Sequence, residues 1–88
     1  MTDDDIIRLG YSAEQVLTSE AFKIALEDIE RFNIECWANG KYKTPQEREE
    51  AYALVRGART FRDKLTAMLD AMKLSKAQAE RRSELHRR

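Results

Sequence analysis

The residues of this sequence best suited to chemistry are arginines. Arg48, Arg56 and Arg59, with Tyr52 and Asp63, fall together on one side of a helical projection, and Lys41, Tyr42 and Lys43 stand just ahead of them. Cationic groups at one-turn spacing can neutralise successive phosphates, and a tyrosine among them can stack on a base. A second basic group, Lys76, Arg81, Arg82, Arg87 and Arg88, could bind nucleic acid or an acidic partner by releasing counterions. An ordinary solvated helix face accounts for the same residues. Asp63 stands one helical turn beyond Arg59, Glu49 and Glu50 interrupt the first group, and Glu80 and Glu84 interrupt the second.

Neither metal nor covalent catalysis is expected. His86, the single histidine, has no second imidazole or thiol at ligand spacing. Cys36, the single cysteine, cannot form an internal disulfide and falls on an apolar stripe, where a small buried thiol is the ordinary outcome. Small helical enzymes carry charged groups at core-facing positions. Both apolar stripes of this chain are almost wholly uncharged, with Arg62 at the edge as the exception. The expectation is a non-enzymatic protein with no cofactor.

Composition sets the frame for the elements that hold these groups. Eighty-eight residues, 42% apolar and 8% aromatic, allow one domain with a thin core. Charged residues make up 36%, balanced at 16 basic and 16 acidic, as in long soluble helices. The balance hides a gradient: residues 1–31 hold eight acids against three bases, and residues 73–88 hold six bases against two acids. No apolar run approaches the roughly 18 residues of a membrane span. A cytoplasmic protein with no membrane partner is expected.

The pattern predicts an all-α fold. Thr2 followed by Asp3, Asp4 and Asp5 places acids at a helix start, and Ser12 to Gln15 has capping-box spacing, so a short helix is expected at about 3–17. Gly10 is where it could break, and a bend is expected at Thr18-Ser19. A second helix, about 19–38, carries the stripe Phe22, Ala25, Leu26, Ile29, Phe32 and Cys36, and Asn39-Gly40 closes it. Thr44-Pro45-Gln46-Glu47 restarts the chain with a cap, a first-turn proline and a capping-box glutamate. The third helix, about 45–72, carries Ala51, Leu54, Val55, Ala58, Phe61, Leu65, Met68, Leu69 and Met72. Gly57 inside it marks either the close approach of another backbone or local flexibility. After Met72 the apolar phase slips. The predicted architecture is thus an antiparallel helical hairpin with a short N-terminal helical segment, forming one domain over 1–75, and a frayed basic tail over 76–88.

Two helices alone bury too little. Ile24 and Ile34 fall on the far side of the second helix, with Trp37 at the margin, so these three need cover. The N-terminal segment could supply some of it, and a second copy could complete a four-helix bundle. Ile24, Ile34 and Trp37 are therefore the expected packing or oligomer interface, and a homo-oligomer is the expected state.

The run Ser19 to Leu69 has a further quality. Ser19-Glu20-Ala21-Phe22 opens a helix, Trp37 closes it, and Thr44-Pro45 with Glu47-Arg48-Glu49 precedes a leucine-rich helix. This layout resembles small helical proteins encoded among tailed-phage head genes. The resemblance implies a role in head assembly or in the virion, a phage structural protein as partner, and the host cytoplasm or the particle as location. The long basic tail departs from the layout. The sequence reading is a structural or accessory protein acting through helix–helix self-association, with a small nucleic-acid-binding module as the alternative.

Overall fold

The computed structural model describes residues 1–87 in backbone and 1–86 in side chain. Among them are three helices and no strands: α1 (Asp3–Thr18), α2 (Glu20–Ala38) and α3 (Pro45–Arg87). The all-α class is as predicted. The chain divides into two compact units, one of residues 1–18 with α3 from Lys64 onward, the other of Ser19–Asp63. The sequence division at residue 75 falls inside the first.

Helix ends follow the local chemistry. The Thr2 hydroxyl accepts from the Asp5 N–H at 3.2 Å and the Thr2 N–H donates to the Asp5 carboxylate at 3.3 Å. Hydrogen bonding from Thr2, with Arg8 beside it, holds the Asp5 carboxyl below its ordinary range. Ser19 has extended backbone between α1 and α2, which is the predicted bend, and its hydroxyl accepts from the Phe22 N–H. At the far end of α2, Gly40 takes a φ of 66°. Its N–H donates to the Trp37 carbonyl and that of Lys41 to the Cys36 carbonyl, the paired bonds of a Schellman closure. Thr44 caps α3 by accepting from the Glu47 N–H at 3.1 Å, while the Glu47 carboxylate accepts from the Lys43 N–H at 2.8 Å.

In the unit built on α1, Gly10, Ala13 and Met72 are buried. Gly10 does not break α1. A Cβ built on it would stand 2.2 Å from the Met72 Cβ, so the glycine lets α1 and α3 approach closely there. Lys76 donates to the Tyr11 hydroxyl and lies 4.4 Å from the centre of its ring, and Arg82 pairs with Asp3 at 3.7 Å. The expected end of the third helix near residue 72 is corrected: α3 does not stop near Met72 but continues to Arg87, so the run expected as a frayed tail is helical. Tyr11 and Asp3 of α1 meet this run beyond the slip in apolar phase.

In the Ser19–Asp63 unit, Phe22, Leu26, Ile29 and Asn33 are partly covered and Cys36 is buried. The covered positions of α3 are Ala51, Val55, Ala58 and Arg62, in strict four-three rhythm. Phe22 and Phe61 meet with ring centroids 6.3 Å apart. Five members of the predicted stripes, Ala25, Phe32, Leu54, Phe61 and Met68, are nonetheless exposed. The stripes are wider than one neighbouring helix can cover. Gly57 also departs from one reading, since nothing in the chain lies within 4 Å of a Cβ placed there.

The contact at Gly10 sets a prediction. Gly10→Ala should lower stability by about 1–3 kcal/mol, the range for overpacking a filled site. Thermal unfolding followed by circular dichroism checks it, and an unchanged midpoint would show that the backbones of α1 and α3 shift apart there at no cost.

Candidate interaction surface

The Ser19–Asp63 unit carries a groove of about 430 Å³. From α2 it is lined by Glu30, Asn33, Ile34, Trp37 and Ala38; from α3 by Arg48, Ala51, Tyr52, Val55 and Arg59; Tyr42 closes it from the loop. The helical repeat explains the arrangement. Ile34 and Trp37 are three apart on α2, and Arg48, Tyr52, Val55 and Arg59 step by four, three and four along α3.

Most of the groove's polar groups are already engaged. Arg59 pairs with Glu30 at 2.9 Å across the two helices. The Tyr42 hydroxyl donates to the Asn33 side-chain carbonyl at 2.7 Å, and the Asn33 amide donates to the Ile29 carbonyl at 2.7 Å. Burial around the phenol, and after it the Cys36 thiol, pushes the Tyr42 pKa up. Arg48 differs. It is exposed and pairs with no acid among the described residues.

The structure therefore gathers five of the predicted site residues: Ile34, Trp37, Tyr42, Arg48 and Arg59. Ile34 is 66% and Trp37 64% exposed, so both lack cover within the chain. Ile24 is exposed but does not line the groove. Arg56 lies 5.7 Å from the centre of the Tyr52 ring, and Lys41 and Lys43 are exposed in the loop without lining the groove. In the other unit, Arg81 and Arg82 border a shallow depression of about 380 Å³ with Asp3 and Gln78. Arg88 lies outside the described residues, as does the side chain of Arg87.

Sequence reading missed Asn33 and Glu30. Asn33 continues the rhythm of Ile29 and Cys36, four residues after one and three before the other, so its inward position was available from spacing alone. Glu30 carried no such signal, because its partner Arg59 lies 29 residues away.

No metal-holding group of three or more His, Cys, Asp or Glu side chains occurs among the described residues. No described helix is long and apolar enough to cross a membrane. No protein-family model matches the chain, and no curated protein or solved structure is significantly similar to it.

Tyr42 supplies a pH prediction. A phenol whose folded pKa is raised above its unfolded value of about 10 contributes stability that is complete below that value and is lost as pH rises through the folded pKa. Tyr42→Phe should remove this alkaline component and lower stability slightly at neutral pH through the lost hydrogen bond to Asn33. Denaturant unfolding of both forms at pH 8 and pH 11 checks it; equal alkaline losses would place the titration elsewhere.

Proposed function

We propose that this protein is a non-enzymatic assembly component that works by helix–helix association, first with copies of itself. In this reading α2 and the first part of α3 form an antiparallel hairpin, and two hairpins complete a helical bundle. One observation carries it. In the Ser19–Asp63 unit Cys36 is the only buried apolar side chain, while Ile24, Phe32, Ile34, Trp37, Tyr52, Leu54 and Phe61 are all substantially exposed. Monomers expose single apolar residues, but this concentration on a unit of 45 residues marks an interaction surface.

The layout's resemblance to small phage head proteins makes a virion or head-assembly setting the context we favour, with a phage structural protein as the further partner. Nucleic-acid binding comes second. Arg48 supports it, yet Arg59 is tied to Glu30 and Arg82 to Asp3. The overall charge is zero, which gives no long-range attraction to phosphate.

Salt separates the two. Sedimentation velocity of the full chain should show a species heavier than the monomer that persists or strengthens between about 0.1 and 1 M salt, as apolar association does. A monomer that retains duplex or single-stranded nucleic acid at low salt and releases it steeply as salt rises would replace this reading with the second.

A further inference from the structure

We infer that the groove of the Ser19–Asp63 unit is a docking site for an amphipathic helix of another protein, one that brings a carboxylate to Arg48. This goes beyond the self-association reading and does not depend on it. Shape gives the first argument. On α3 the lining runs from Arg48 to Arg59, eleven residues or roughly 16 Å, which is about three turns of helix. Tyr52 is 64% exposed, as fully as Ile34 and Trp37, while Ala51 and Val55 beside it are half-covered. A trough walled by two helices takes the apolar face of a third, whose side chains enter at three- and four-residue spacing. A small molecule there would keep one side in water, whereas pocket ligands bury most of their surface.

Charge gives the second argument and identifies the occupant. The lining holds two cations, Arg48 and Arg59, and one acid, Glu30. Glu30 is taken by Arg59, which leaves Arg48 exposed and without an acidic partner among the described residues. Glu47, Glu49 and Glu50, its neighbours in sequence, do not line the groove. Lys41 and Lys43 add positive charge in the loop just ahead of it. The unmet demand is for a carboxylate at the Arg48 end of an apolar trough.

A second copy laid groove to groove does not meet that demand. Under a two-fold axis centred on the groove, Arg48 faces either its own counterpart or the far end, where the counterpart of Arg59 stands and Glu30 is already paired. Neither arrangement supplies a free acid. Nucleic acid fits less well, because one free guanidinium in an apolar lining offers a single phosphate contact rather than a track of them.

Trp37 is the chain's one tryptophan, so its emission reports on the groove directly. The probes are two sixteen-residue helices of alanine and glutamine with leucines spaced three and four apart, one carrying two glutamates in its first turn and the other two lysines there. Titrated into the full chain, the glutamate peptide should shift Trp37 emission to the blue and bind tighter than the lysine peptide by on the order of fivefold. Arg48→Glu, an exposed position near a helix start where an acid is well placed, should keep the helical circular dichroism signal and reverse that order. Equal binding of both peptides, or no shift with either up to about 1 mM, would overturn the inference. Emission that moves instead with the chain's own concentration, and no longer does so in Ile34→Glu, would give the groove to a second copy. A shift with oligothymidylate and with neither peptide would give it to nucleic acid. A chain that sediments as a monomer throughout yet keeps the peptide preference would end the self-association reading and leave this one standing.

Discussion

One helix can shelter only a strip of its neighbour, and the width of that strip governs how much of this protein is covered. Each helix here carries more apolar surface than a single partner can take. On α3 the sheltered positions keep the four-three rhythm of Ala51, Val55, Ala58 and Arg62, and they continue as Leu65, Leu69 and Met72 beyond the boundary between the units. Leu54, Phe61 and Met68 stand one position ahead of Val55, Arg62 and Leu69 and remain in solvent. A stripe widened in this way is what a helix shows when it faces more than one neighbour.

This width also explains which parts of the architecture were legible beforehand. Helix boundaries set by backbone chemistry were readable, because Ser19, Asn39-Gly40 and Thr44-Pro45 act through bonds within a few residues. The end of α3 was not. Its continuation past Met72 is accompanied by Tyr11 on Lys76 and Asp3 on Arg82, contacts that join residues 65 and 79 positions apart and leave no local pattern. The roles of the two helical glycines were not legible for a related reason. Gly10 looked like a possible break and is instead a close-packing position, while Gly57, open between close approach and flexibility, has no neighbour in its own chain. Glycine signals a need for space without saying which helix requires it.

The groove shows how polar and apolar demands are divided within the Ser19–Asp63 unit. Asn33 occupies a core-facing position where a purely apolar stripe would place another hydrocarbon, and both ends of its amide are used. One bond holds the side chain against its own helix and the other draws in Tyr42, so the loop is tied to α2 rather than left to the caps alone. Glu30 and Arg59 link the helices on the same side. These polar ties favour one arrangement of helix and loop over sliding alternatives, which a thin apolar core specifies weakly. Charge spacing alone grouped Tyr42, Arg48 and Arg59, and all three line the groove. What the spacing could not convey is that two of the three already have partners.

Cys36 gives the molecule a property unrelated to recognition. It is the chain's one thiol, and only 4% of it is accessible. Alkylation must therefore wait for α2 to lift from its surroundings, and the rate of modification by an excess of reagent becomes a clock for that opening. The protein thus contains its own reporter of local unfolding, placed in the unit with the thinnest interior and requiring no foreign label.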